Sequence, residues 1–157
     1  MVPKAGFWAV GGADISFGAD GNWYSDGDKI ENPRIAALFS RHVRGDGEGG
    51  WVIDIGIDRQ AVTVEDTALV VVAVSGGPES GFRIRTNDGI EEELDCSSLT
   101  VGDGNVLYCE VDRGERGSFR ARMLRHVYYH LAADMEESPE GTTLCCKGSR
   151  FLLPVRG

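Results

Sequence analysis

The stretch GSFRARMLRHVYYHLAADM, residues 117–135, decides how this chain is read. Phe119, Met123, Leu124, Val127, Tyr128 and Leu131 recur at three- and four-residue spacing, which predicts one amphipathic helix with a single apolar stripe. Ser118 stands where a side-chain oxygen can cap its first turn. Arg122, Arg125 and Tyr129 project from the opposite side. Glu136 and Glu137 oppose the dipole at the carboxyl end, so the helix is expected to stop near Ala133.

Working outward, Asn32-Pro33 is a strong helix start, with Asn as cap and Pro in the first turn. Ile35, Leu38, Phe39, His42 and Val43 mark its buried face. Gly45, Gly47, Gly49 and Gly50 close it in a flexible loop. Residues 51–58 alternate, with Trp51, Ile53, Ile55 and Ile57 on one side and Asp54 and Asp58 on the other, a half-buried strand. Residues 61–64 form a shorter strand. Residues 68–74 are nearly all apolar, as in a strand covered on both faces at a sheet centre. Asp26-Gly27 and Asp88-Gly89 have hairpin-turn chemistry. A last hairpin turns at Lys147-Gly148-Ser149.

Two stretches share one order of events. Trp23-Tyr24, a turn, the helix at Pro33 and the strand at Trp51 parallel Leu107-Tyr108, a turn, the helix from Phe119 and the strand at Thr143. This predicts an α+β fold of two similar small halves, each a duplicated strand–turn–helix–strand unit. Residues 1–13 form a loose segment, residues 14–64 the first half and residues 65–157 the second. Halves that cannot each bury their faces pack together, and a groove between them is a place for a ligand.

A chain of 157 residues supports one good core or two small ones. A net charge of −9 argues against general nucleic-acid binding and against a polybasic membrane binder. No apolar run approaches the ~18 residues of a membrane span. The first ten residues lack the layout of a signal peptide, and the four cysteines read as reduced thiols, so the cytoplasm is the expected compartment.

The polar residues offer several chemistries. Arg83 and Arg85 share one side of a hairpin and, facing a groove, would hold a carboxylate or phosphate through bidentate hydrogen bonds. On an exposed sheet they would instead pair with Glu91 and Glu93. Glu65-Asp66 can do acid–base work, bind a metal or fix a loop. His126 and His130 are four apart but lack a third ligand, so no metal site is assigned. Cys145-Cys146 is neither a redox motif nor a metal knuckle. No catalytic arrangement and no cofactor motif is legible.

One further reading rests on likeness. Trp23-Tyr24-x-x-Gly27, Leu38-Phe39 with Val43-Arg44, Trp51-Val52, Val64-Glu65-Asp66, Phe82-Arg83-Ile84-Arg85-Thr86-Asn87, Arg125-x-Val127-Tyr128-Tyr129-x-Leu131 and Gly148-x-x-Phe151-Leu152-Leu153-Pro154 occur in this order. Together, over residues 14–154, they resemble the bacterial domain-of-unknown-function family 1285. The resemblance implies a duplicated α+β core, a C-terminal half similar to a pleckstrin-homology barrel with a packed helix, and a pocket between the halves for a small anionic, nucleotide-like ligand, in signalling. The family carries no established activity. His126 departs from a small residue or proline, and Cys145-Cys146 from a bulky one.

The expected function is therefore a non-enzymatic ligand-binding or regulatory protein. Arg85 and Arg125 supply positive charge, Asn87 amide hydrogen bonds, and Tyr129 or Trp51 a stacking surface, with Glu65 and Asp66 as partners of the arginines. The alternatives are an enzyme using Glu65 or Asp66 in the same groove and a protein–protein interaction module.

Overall fold

Six strands and one helix come first: β1 (Ile15–Phe17), β2 (Trp23–Ser25), β3 (Asp28–Lys29), α1 (Pro33–His42), β4 (Val43–Gly45), β5 (Trp51–Asp54) and β6 (Arg59–Val64). Six more strands follow: β7 (Leu69–Gly77), β8 (Gly81–Thr86), β9 (Glu91–Glu93), β10 (Thr100–Val101), β11 (Leu107–Asp112) and β12 (Ser118–Met123). Helix α2 (Arg125–Ala132) then leads into a small sheet of β13 (Met135–Ser138), β14 (Gly141–Cys146) and β15 (Ser149–Leu152). The computed structural model describes residues 13–156. Residues 1–12, most of the expected loose segment, lie outside the described residues.

The first sheet has the order β3-β2-β1-β6-β5-β4 and the second β10-β11-β12-β7-β8-β9. Each is two antiparallel three-strand meanders joined at the centre by one parallel pair, β1 with β6 and β12 with β7. Advancing every strand number of the first sheet by six reproduces the second. The molecule is α+β with two similar halves.

The repeat nevertheless falls in a different register from the one the aromatic pairs suggest. Leu107-Tyr108 opens β11, so its counterpart is Trp51-Val52 at the start of β5 rather than Trp23-Tyr24. Helix α1 joins β3 to β4, whereas the matching connection from β9 to β10 holds only a 3-10 turn at Cys96–Ser98. Helix α2 follows the sixth strand and is not the copy of α1.

The deciding stretch is half strand. Phe119, Ala121 and Met123 are buried and alternate with Arg120 and Arg122 along β12, so a two-residue period wins where helical spacing also fitted. Only residues from Arg125 onward are helical, with Val127 and Leu131 buried, and the helix ends at Ala132. Glu136 and Glu137 belong to β13. The strand expected over residues 51–58 also stops early. Asp54 Oδ1 accepts the Gly56 N–H at 2.9 Å, turning the chain and leaving Ile57 exposed at the tip. Residues 46–50, expected to be flexible, form a hydrogen-bonded hairpin turn in which Asp46 Oδ1 accepts from the Glu48 and Gly50 N–H groups at 2.7 and 2.9 Å.

Other elements follow the sequence directly. Asn32 Oδ1 caps α1 by accepting from the Arg34 N–H at 2.9 Å. Strand β7 lies at the sheet centre, with Leu69, Val70 and Val71 fully buried. Phe17, Trp23 and Phe39 pack as an aromatic cluster, ring centroids 4.6 and 5.3 Å apart, within the core that both halves share.

Candidate functional site

The two halves meet along a polar seam. Ser40, at the end of α1, accepts through Oγ from Trp23 Nε1 at 3.0 Å and from Asn87 Nδ2 at 2.8 Å. Arg116 Nη2 donates to the Ser40 carbonyl at 2.8 Å and to that of Val43 at 3.1 Å. Behind them Asp88, its side chain fully buried, accepts from Arg113 Nε at 2.8 Å and Arg116 Nη1 at 3.4 Å. Arg113 Nη1 also lies 2.8 Å from Glu92 Oε2. Burial alone would raise the Asp88 pKa, but Arg113 and the Thr86 hydroxyl outweigh it and hold the carboxyl below its usual 3.8.

Beside this seam the β1–β2 turn of the first half faces α2 of the second across a depression of about 820 Å³. Asp20 lines it from one side, Gly104, Asn105 and Leu107 from below, and Arg122, Arg125, Tyr128 and Tyr129 from the other. Arg125 has no ion-pair partner among the described residues. Arg122 is held from behind: its Nη1 donates to Asp66 Oδ2 at 2.7 Å, an oxygen that also accepts the Tyr108 hydroxyl at 2.7 Å. Tyr129 is 61% exposed and meets Tyr128 edge to face at 5.5 Å, so its ring is open to a ligand. Leu124 precedes α2 without a side-chain cap, which leaves the positive end of that helix at the same depression.

The residues singled out from the sequence divide between places. Arg125 and Tyr129 come together in this depression. Arg85 and Asn87 line a separate groove of about 310 Å³ against α1. Arg83 and Arg85 lie exposed on the outer face of β8, with Phe82, Ile84 and Thr86 inward, opposite Glu93 and Glu91 in register. Both ends of the Asn87 amide are engaged, Oδ1 by the Val70 N–H at 2.8 Å and Nδ2 by Ser40. Glu65 Oε1 accepts the Ala19 N–H at 2.8 Å and so fixes the β1–β2 turn. Asp66 lines a further depression of about 770 Å³ with Tyr108 and Arg120, whose guanidinium lies 3.6 Å over the Tyr108 ring. Trp51 stacks on Phe119 at 5.9 Å, away from all of these. His126 and His130 donate through Nε2 to the carbonyls of Val72, at a β-bulge, and Gly76, pinning α2 to β7. Among the described residues no cluster of metal-ligating side chains occurs.

Sequence reasoning passed over Asp20 and Asp88 as site residues. Asp88 read only as hairpin chemistry. Arg122 was legible as the neighbour of Arg125 on a polar side, but its strand placement, with Tyr108 opposite, was not.

Comparison with known proteins gives a fold. A solved structure of a DUF1285 family protein from Silicibacter pomeroyi DSS-3 matches 89% of this chain and 79% of its own, with a TM-score of 0.69 at 21% identity. A second, from Shewanella baltica OS155, matches 78% of this chain and 92% of its own, with a TM-score of 0.59 at 21% identity. This is the fold of the DUF1285 family proteins. No family model and no curated protein matches the sequence. The DUF1285 neighbours share this chain's architecture at 21% identity. Among the described residues no helix is long and apolar enough to cross a membrane.

Proposed function

We propose that this chain is a non-enzymatic binding protein for a small anionic, nucleotide-like ligand, held between its halves. One observation carries the reading: Arg122, Arg125, Tyr128 and Tyr129 line a single depression that the β1–β2 turn of the first half borders. Two guanidinium groups suit phosphate or carboxylate oxygens, and an open tyrosine ring suits a flat base. The overall charge of −9 makes this local pair of cations the more telling. Glu65 and Asp66, the candidates for catalysis, are engaged in holding the turn and Arg122, which favours binding over an enzyme. A ligand touching both halves would change how firmly they are joined, and on that ground we place the protein in signalling. Its four free thiols suit the cytoplasm.

A thermal-shift screen against nucleotides, sugar phosphates and dicarboxylates tests the proposal. Binding to the folded state alone raises the unfolding midpoint. A shift by a nucleotide that is lost in Arg125→Ala and reduced in Arg122→Ala supports it. Retention of the full shift in both variants, or no shift with any anion, refutes it.

A further inference from the structure

Asp20 is the one carboxylate lining the depression among the described residues, and it faces a site whose other charged groups are arginines. Its Oδ2 accepts the Tyr24 hydroxyl at 2.6 Å and its Oδ1 accepts the Asn22 N–H at 3.0 Å. Those two bonds fix the carboxylate yet leave each oxygen a second lone pair. Burial acts to raise the Asp20 pKa, but the Tyr24 and Asn22 bonds outweigh it and hold the group below its usual 3.8, so it is ionised at neutral pH. An ionised carboxylate only accepts hydrogen bonds, and it repels a phosphate. The anionic end of a ligand therefore lies toward Arg122 and Arg125, and the part beside Asp20 must bring donors. In a nucleotide with its base against Tyr129, the sugar between base and phosphate supplies them, as two adjacent hydroxyls that one carboxylate can accept together.

We infer that Asp20 reads the ribose hydroxyls of a ribonucleotide bound in this depression, and so selects ribonucleotides over their 2′-deoxy counterparts. The inference rests on the nucleotide-like reading of the pocket and adds the part of the ligand that decides affinity. Gly21 supports the placement. Its φ is +85°, and a Cβ on it would lie 3.0 Å from Val70 and 3.6 Å from Leu124, so the β1–β2 turn sits close against the start of α2 with Asp20 opposite the arginines.

Calorimetric titration with the four ribonucleoside 5′-monophosphates and their 2′-deoxy forms tests it, on the wild type and on Asp20→Asn and Arg125→Ala. The expected result is binding of at least one ribonucleotide, with its 2′-deoxy form weaker by roughly tenfold or more, the loss of a hydrogen bond to a charged group. In Asp20→Asn that preference should collapse, with an unchanged thermal midpoint showing an intact fold. In Arg125→Ala both forms should weaken alike. Equal wild-type affinity for ribo and 2′-deoxy forms overturns the role of Asp20, including the case in which affinity sorts by base. If that binding still depends on Arg125, the pocket reading survives. Absence of any Arg125-dependent nucleotide binding overturns both. The wild-type comparison needs no variant to fold.

Discussion

Asn87 gives its amide N–H to Ser40 Oγ at 2.8 Å while its carbonyl oxygen takes the Val70 N–H at 2.8 Å, so one side chain ties β7 of the second sheet to the helix of the first. Truncation to Ala strands a partly buried backbone donor. Asn87→Ala should destabilise the protein by about 2 kcal/mol, lowering the thermal midpoint by roughly 4–8 °C. Ser40→Ala strands both the Trp23 Nε1–H and the Asn87 amide N–H, so it should cost at least as much, and the double variant less than the sum, since both remove the same bond. A midpoint for Asn87→Ala equal to wild type would show that the seam is not joined there.

Asp88 should make the acid limb of stability steep. Its carboxyl titrates below 3.8 in the folded chain and near that value when unfolded. The unfolded state therefore takes up the proton first as pH falls. The stabilisation is complete above about pH 5 and drains away as pH passes through 4 and below. Asp88→Asn keeps the shape but removes the charge opposite Arg113 and Arg116. Urea melts between pH 3 and 7 should show a lower plateau and a flatter acid limb for this variant. An acid limb identical to wild type would falsify the assignment.

Tyr108 sets the corresponding alkaline behaviour. Burial, and then its bond to Asp66, raise the phenol above its usual 10.0. A raised folded pKa contributes stability that is full below pH 10 and lost as pH climbs through the folded value. Phenolate absorbance that disappears from the wild-type titration on Tyr108→Phe should thus lie above pH 10. In Asp66→Asn the same component should move down.

Gly76 admits no side chain. Its φ is +94°, and a Cβ there would lie 2.2 Å from the Gly81 carbonyl oxygen. Gly76→Ala has to open the β7–β8 turn, whose Gly76 carbonyl also receives His130. The expected loss is well above the ~1 kcal/mol of an ordinary glycine effect. Hydrogen exchange should show it as lost protection in β8 and in α2 together; a protection pattern unchanged from wild type would count against it.

The sequence made most of the strands legible, and it misled where two periods coincide. Phe119, Met123, Val127 and Leu131 fit a helical stripe, yet Phe119, Ala121 and Met123 equally fit a strand, and only the vacancy beside β7 decides between them. The duplication was visible as a rhythm of aromatics and turns, but its register depends on which strands pair, and the pairing of β1 with β6 is invisible locally. For the site, Arg125 and Tyr129 were recoverable from polar spacing on α2. Asn87 was expected to offer its amide to a ligand, whereas both ends of that amide are engaged by Val70 and Ser40. Asp20 could not be weighed at all, because the element it faces lies a hundred residues further along the chain.

The parallel pair at the middle of each sheet bears on how the molecule assembles. Every meander joins strands close in sequence, whereas Ser16 must find Thr63 and Leu69 must find Ala121. Closing the longer loops costs more entropy before any contact repays it. Each sheet is thus expected to zip from its two flanks and to seal down its midline last. Substitutions along that midline, such as Val64→Ala, should speed unfolding while leaving the folding rate nearly unchanged. A matched fall in folding rate, read from the two arms of a chevron, would put the seal in the nucleus instead.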